Sequence, residues 1–131
     1  MISLKRFWKS FTHAVRGIVR IAEEEQSFRL QMFAAAVVFG LMIVMPTLQI
    51  WERVTLTLMV GAVLVLEIVN SILERLADAV EPRVSPMVKE IKDMMAGAVL
   101  LTAIASVFVG YLIFWPHMAP TLAALWRSIV L

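Results

Sequence analysis

Long apolar runs alternate with short polar segments along most of this chain. Three such runs occupy about residues 30–50, 53–79 and 86–115, and Pro46, Pro82 and Pro116 lie near their ends. A helix rises ~1.5 Å per residue, so about 20 apolar residues cross a ~30 Å hydrocarbon layer. Ser85 followed by Pro86 is typical of a helix start, with proline at the first helical position. The pattern predicts an all-α membrane protein with three transmembrane helices.

The two ends of the chain have a different pattern. Residues from about 3 to 26 are amphipathic, with basic residues on one helical face and apolar residues on the other. A basic helix of this kind is typical of the membrane interface. The alternative, a helix packed on a soluble core, is disfavoured by the three apolar runs. Ser27 is predicted to cap the first span, and residues 117–131 are predicted to form a short interfacial segment. The apolar face of the first helix comprises Leu4, Phe7, Trp8, Phe11, Val15 and Ile18.

Composition agrees with a membrane protein and excludes several other classes. The chain is 61% hydrophobic and 17% charged, whereas soluble domains are nearer 45–50% and 25%. Its 131 residues allow one domain, 1–131, and the absence of cysteine excludes disulfides, zinc–thiolate sites and a cysteine nucleophile. A net charge of +2 gives no reason to expect a nucleic-acid partner. No run of signal-peptide length precedes the first glutamates, so we expect no cleaved signal.

The basic residues also predict an orientation. All 12 lysines and arginines except Arg53 and Arg127 fall on the same side of the predicted spans as the N-terminus. Because cytoplasmic loops are enriched in basic residues, we expect the N-terminus and the second loop in the cytoplasm. The chain is therefore predicted to be a multi-pass protein of the inner (cytoplasmic) membrane.

A polar stripe runs along the second apolar segment. Within residues 54–73 the only charged residue is Glu67, and four further polar residues follow it at offsets of 3, 4, 7 and 11. At ~100° per residue these offsets keep all five within about 100° of one helix face. An ionisable group at membrane depth costs at least about 2.5 kcal/mol, so it is normally paired or functional. The stripe is therefore predicted to be a site, formed by Glu67, Asn70, Ser71, Glu74 and Asp78.

Further acidic residues belong to the predicted cytoplasmic side, in the segment 23–25 and at Asp93, next to Lys92. Magnesium takes one or two carboxylates together with water and phosphate oxygens, and a lysine can meet the remaining phosphate charge. Glu67, which lies deeper, suits a general base that acts on a lipid hydroxyl. Metal clamp, cation and positioned base are the groups that phosphoryl transfer needs. The chain has no P-loop, GxGxxG or protein-kinase motif.

The stripe resembles a known signature. The segment 67–78 is similar to the pattern ExxN[ST]xxExxxD of the small prokaryotic lipid kinases, which comprise diacylglycerol kinase and undecaprenol kinase. Lys92, Asp93 and the AGAV run at 96–99 resemble the second signature of that family, KDxxAGAV. The resemblance covers about residues 5–115. It implies a surface helix and three membrane helices per chain, assembled as a homotrimer with sites shared between neighbouring chains.

The resemblance also implies the reaction, an ATP- and Mg²⁺-dependent transfer of phosphate to a membrane lipid alcohol. The acceptor would be diacylglycerol, giving phosphatidic acid, or undecaprenol, giving undecaprenyl phosphate. The AGAV run and the spacing of Pro86 and Lys89 lean slightly toward undecaprenol. The implied roles are a base at Glu67, magnesium ligands at Glu25 and Glu74, phosphate-binding or acceptor-orienting groups at Asn70, Lys92 and Asp93, a supporting carboxylate at Asp78, and nucleotide contacts at Arg6 and His13.

Two alternatives remain at this point, an ion-conducting or transporting oligomer with a polar pore stripe and a small membrane adaptor. A pore should need polar residues on both sides of the bilayer, and the outer side offers few, which favours the kinase. The chain departs from the family pattern at 72–73, at Ser85 and at Gln31, where an acid or a histidine is common.

Overall fold

The computed structural model describes residues 3–80 and 85–130, which form four helices and, within those ranges, no strand. Helix α1 comprises Leu4–Glu24, α2 Gln26–Val44, α3 Ile50–Val80 and α4 Pro86–Val130. Helix α3 packs against both α2 and α4, and α1 contacts α2. The predicted all-α architecture is confirmed. The helix break predicted at Pro82 lies outside the described residues.

Three of the helices are long and apolar enough to cross a membrane: Gln26–Val44, Ile50–Ala79 and Pro86–Pro120. Their outer faces carry large apolar side chains that no residue of the described ranges covers; Ile43, for example, is 80% exposed and Val107 74%. An apolar surface of this extent is typical of contact with lipid or with another apolar surface. The three predicted spans are confirmed as helices of the right length and composition, although the first, predicted at about 30–50, is Gln26–Val44 in the structure.

Helix α1 leaves its apolar face uncovered. Leu4 is 82% exposed and Trp8 65%, and the Trp8 ring stacks on Phe11 with centroids 5.8 Å apart. Because no other described helix covers this face, its burial has to come from a surface outside the chain. A position in the membrane interface would supply it, and that position stays a prediction.

The corner between α1 and α2 is made by a single residue. Glu25 has extended backbone angles (φ −105°, ψ 115°) and is the N-cap of α2, although its side chain makes no capping bond. The guanidinium of Arg29 closes the corner by donating to the carbonyl oxygens of Ala22 (3.2 Å) and Glu23 (2.9 Å). Ser27 lies inside α2, so the predicted cap is wrong; the extended residue that turns the chain comes two positions earlier.

The turn between α2 and α3 is held by a partly buried arginine. The guanidinium of Arg53 donates to the carbonyl oxygens of Met42 (2.6 Å), Met45 (2.9 Å) and Leu48 (3.3 Å). Since the last carbonyls of a helix have no partner within it, this arginine acts as a side-chain cap for α2. A small apolar core packs beside the turn: Met42, Leu48, Leu56, Ile113 and Phe114. We call this region, with Thr47, Glu52 and His117, the Glu52 end of the bundle.

Helix α4 begins as predicted, with the Val88 amide donating to Ser85 Oγ at 3.3 Å. Its predicted end at residue 115 is wrong, because α4 continues to Val130 with Pro116 and Pro120 inside it. Each proline removes one backbone hydrogen bond, which a membrane helix can tolerate where neighbouring groups hold it. Here His117, between the two prolines, lies 3.1 Å from Thr47 Oγ1 (through Nδ1). The interfacial location of residues 117–131 stays a prediction.

Candidate active site at the Glu67 end of the bundle

The deeper half of the predicted stripe is buried on α3. Glu67, Asn70 and Ser71 are only 5%, 9% and 2% exposed, respectively. Ser71 Oγ donates to the backbone oxygen of Glu67 at 3.0 Å, as serines commonly do inside helices. The carboxylate of Glu67 receives its bond from a different helix: Gln31 Nε2 on α2 donates to Glu67 Oε2 at 3.0 Å. We call this region, with Glu25, Glu74, Arg75, Asp78 and Lys92, the Glu67 end.

Two buried side-chain atoms of this region have no hydrogen-bond partner among the described residues. Asn70 Nδ2 donates to Glu74 Oε1 at 3.1 Å, but Asn70 Oδ1 is buried without a hydrogen bond. The same is true of Gln31 Oε1, and these are the two such side-chain atoms within the described residues. A buried polar atom left unsatisfied costs about 1–3 kcal/mol. Such atoms therefore indicate where a ligand or a water molecule would donate.

Lys92 connects α4 to the shallower half of the stripe. Its Nζ donates to Asp78 Oδ1 at 2.8 Å, and the negative charge of Glu74 also acts on it. The Lys92 side chain is 32% exposed, so its ammonium group keeps access to solvent. Asp93 is exposed beside it and forms no ion pair with any residue of the described ranges. Of these two residues of the second signature, Lys92 contacts the stripe, whereas Asp93 forms no described bond to it.

Glu25 reaches α3 through an arginine that the sequence analysis did not assign to the site. Arg75 Nη2 lies 3.1 Å from Glu25 Oε1 and 2.7 Å from Glu24 Oε2. Arg75 follows Glu74 directly, so this contact brings the α1–α2 corner beside a predicted magnesium ligand. A hydrogen bond from Arg20 holds the pKa of Glu24 below its usual value of 4.5; partial desolvation opposes the shift, and the charge of Arg75 supports it.

The two residues predicted on α1 are not brought to the others. Arg6 and His13 are exposed, and within the described residues neither forms a hydrogen bond or an ion pair with the Glu67 end. The expectation that they contact nucleotide has no support in the fold of a single chain and stays a prediction. The structure assembles Glu67, Asn70, Glu74, Asp78, Lys92 and Glu25 around α3.

The carboxylates of this end can contribute to a metal site without forming one alone. Among the residues that the structure describes, no three metal-binding side chains are grouped together. Arg75 engages Glu25 Oε1 and Asn70 engages Glu74 Oε1, which leaves the second oxygen of each without a described partner. Magnesium that arrives on a nucleotide needs only one or two carboxylates, since phosphates and water complete its octahedron. The donor set fits such a metal.

Gln31 is a second residue that sequence reasoning did not assign. It lies at one end of an apolar groove of about 700 Å³ that runs between α2, α3 and α4 toward Trp115. The available signal was a polar residue in an otherwise uncharged span, at a position where the chain departs from the family pattern. Its partner could not be identified, because Glu67 lies 36 positions away on another helix.

Comparison with known proteins gives two concordant results. The family described as prokaryotic diacylglycerol kinase matches residues 12–114. The chain is also similar to the undecaprenol kinase of Bacillus subtilis (strain 168), with 37% identity over 117 residues, which are 88% of this chain and 93% of that protein. Both matches extend over most of the chain and include the polar stripe. The chain therefore belongs to the prokaryotic diacylglycerol kinase family, a family of membrane lipid kinases.

Proposed function

We propose that this protein uses Mg²⁺ and ATP to phosphorylate the hydroxyl group of a membrane lipid alcohol, with undecaprenol as the acceptor. The observation that carries the proposal is a buried carboxylate, Glu67, bonded to a residue at the end of an apolar groove. An alkyl chain in that groove would direct its polar end toward a proton acceptor. Family membership supports the kinase over the pore and the adaptor, because a kinase uses a nucleotide and the other two functions do not need one.

Glu67 acts as the general base in this proposal. Its free oxygen takes the proton of the lipid hydroxyl as the alcohol oxygen attacks the γ-phosphorus of ATP, and the bond from that phosphorus to the ADP oxygen breaks. Burial keeps water away from the base, which favours transfer to the alcohol over hydrolysis. Asn70, one turn along α3, offers the unpaired Oδ1 to a donor on the ligand.

The shallower half of the stripe faces the phosphates. Lys92 is paired with Asp78 and is partly exposed, so its ammonium group can meet phosphate charge while the carboxylate keeps it in position. Asp93 lies beside it and would orient the incoming groups. Glu25 and Glu74 would hold the magnesium ion, which when bound neutralises the developing charge on the phosphates. Nucleotide contacts from Arg6 and His13 belong to the same proposal.

Acceptor, assembly and location are the finer parts of the proposal. The relative from Bacillus subtilis carries the name undecaprenol kinase, and that name supports a polyprenol acceptor here. The uncovered apolar faces of the bundle are compatible with a homotrimer whose active sites are shared between chains. The basic residues near the N-terminus support a cytoplasmic membrane location with the active site on the cytoplasmic side.

A transfer assay tests the proposal. The protein, purified and reconstituted in lipid, is given labelled ATP with undecaprenol or diacylglycerol, with and without magnesium. We expect magnesium-dependent label in undecaprenyl phosphate, and at least about 100-fold slower labelling with Glu67→Gln. Label only in phosphatidic acid would mean that the acceptor is diacylglycerol, while the protein would still be a lipid kinase. No transfer to either alcohol by the folded protein would contradict the kinase itself.

A further inference from the structure

We infer that Gln31 is the positioning residue of the catalytic base: its amide N–H fixes the Glu67 carboxylate so that one oxygen faces the acceptor hydroxyl. The inference rests on the proposed role of Glu67. Its basis is the hydrogen bond of 3.0 Å between Gln31 Nε2 and Glu67 Oε2, which joins two helices at a part-buried position.

Gln31 is itself held in place by its helix. Phe28, three positions before it, and Ala35, four positions after it, are 2% and 8% exposed. Offsets of −3 and +4 lie on one face of a helix, so Gln31 belongs to the packed face of α2. A side chain on such a face loses little further freedom when it bonds to Glu67. The bond therefore restrains the carboxylate of Glu67 from a fixed support.

The bond gives the two oxygens of Glu67 different roles. Oε2 is engaged by Gln31, whereas Oε1 accepts no hydrogen bond from a described residue and, unlike Gln31 Oε1, is not among the fully buried unpaired atoms. An unrestrained carboxylate could rotate and present either oxygen in many directions. Because a misplacement of about 1 Å at a reacting group can cost on the order of 100-fold in rate, this restraint matters for catalysis.

A neutral donor suits a base better than a cation would. Elsewhere at the Glu67 end, carboxylates are paired with charged groups: Glu25 with Arg75, and Asp78 with Lys92. A cation beside Glu67 would stabilise its charged form and weaken it as a proton acceptor. The amide of Gln31 orients the carboxylate without cancelling its charge. Gln31 thus acts through Glu67 and touches no reacting atom.

The test uses variants of residues 31 and 67, with one control, in the reconstituted kinase assay with undecaprenol. Gln31→Met keeps the length of the side chain and removes both polar atoms, whereas Gln31→His retains an N–H at a similar reach. Thr102→Ala is the control, because Thr102 does not line the groove and its hydroxyl donates, among the described residues, only to the carbonyl oxygen of Ala98 within α4. Gln31→Met is also combined with Glu67→Asp, whose shorter side chain cannot reach residue 31.

We expect Gln31→Met to lower kcat about tenfold to hundredfold, with KM for ATP and for undecaprenol within about twofold of the parent. Gln31→His should recover most of the lost kcat, and Thr102→Ala should match the parent. In the Glu67→Asp background Gln31→Met should add less than about twofold, because both changes remove the same bond.

Three results would overturn the inference. Gln31→Met could retain the parental kcat, it could raise KM for undecaprenol at unchanged kcat, or folded Gln31→His could be as slow as Gln31→Met. If Gln31→Met does not fold, the kcat of the Gln31→His/Glu67→Asp double variant is compared with that of Glu67→Asp alone. A kcat lower by tenfold or more in the double variant means that residue 31 acts independently of Glu67, which overturns the inference. Parental activity of Glu67→Gln would instead contradict the proposed function.

Discussion

Helix α3 buries a carboxylate at each end of the bundle, and the two differ in how completely they are bonded. Glu52 is 8% exposed, and both of its carboxylate oxygens are hydrogen-bonded. The backbone N–H of Gln49 donates to one of them at 2.7 Å, and His117 Nε2 lies 3.2 Å from both. Glu67 is 5% exposed, but one of its oxygens has no described partner. Burial alone therefore does not distinguish the two carboxylates; the oxygen of Glu67 without a described partner does, because a ligand could bond to it.

The basic residues show the same contrast. At the Glu52 end, Arg53 donates to three backbone carbonyls, and a ligand could take over none of those bonds without opening the turn. At the Glu67 end, Arg75 and Lys92 are 39% and 32% exposed and pair with carboxylates near the surface. Exposed ion pairs are weak, so phosphate or metal can replace one partner at little cost. The bonds of Arg53 at the Glu52 end stabilise the fold, whereas Arg75 and Lys92 at the Glu67 end can exchange a carboxylate partner for a ligand.

The largest expected effect comes from neutralising the two buried carboxylates in parallel. Glu67→Gln should lower kcat by about 10²- to 10⁴-fold, the usual contribution of a general base, with the unfolding midpoint nearly unchanged. Glu52→Gln should lower the unfolding midpoint and leave kcat per folded molecule within about twofold. Transfer assays and thermal unfolding in detergent measure both. A loss of stability in Glu67→Gln together with a loss of kcat in Glu52→Gln would contradict the comparison between the two ends.

The second expected effect concerns magnesium. Glu74→Ala removes a proposed ligand, so the magnesium concentration for half-maximal rate should rise about tenfold or more, since the remaining carboxylate must hold the ion alone. The measurement is the initial rate over a magnesium titration at saturating ATP. Glu90→Ala, at an exposed position on α4, is the control and should give the same magnesium dependence as the parent. An unchanged magnesium dependence in Glu74→Ala would remove this residue from the metal site.

A smaller effect is expected from His117→Ala, which removes the contact between α4 and the Glu52 end. The buried Glu52 carboxylate would keep its bond to Gln49 and lose the second one, so the unfolding midpoint should fall by a few degrees. Thr55→Ala, at an exposed hydroxyl that bonds only within α3, should leave the midpoint in place. A His117→Ala midpoint equal to the parental value would show that the prolines of α4 need no such support.

The smallest effect is a pH dependence at the α1–α2 corner. The folded-state pKa of Glu24 lies below its usual value of 4.5, chiefly because Arg20 donates to it. Its stabilising contribution is therefore present above about pH 4.5 and lost as the pH falls through the lowered pKa. Because the group is exposed, the change should be slight. Unfolding midpoints from pH 6 to 3 should converge between the parent and Glu24→Gln; parallel curves would exclude a role for Glu24.

Much of the architecture was predictable because it depends on local periodicity. The three spans follow from uninterrupted apolar runs, and the stripe follows from helical offsets along one segment. The Ser85 cap was predictable for the same reason. The exceptions are also local rules that packing overrode: Pro116 does not end α4, and the chain turns at Glu25 instead of being capped at Ser27. Propensities of single residues are weak where neighbouring helices hold the backbone.

The sequence by itself determined the helices, the face that carries the acids and the family to which they belong. Only the tertiary structure decided which partner each acid received: Gln31 for Glu67, Arg75 for Glu25 and His117 for Glu52, at separations of 36, 50 and 65 positions. The physical reason is that a helix repeats every ~3.6 residues and so encodes its own faces. The rotation and register of one helix against another depend on packing over the whole bundle, which no local pattern records.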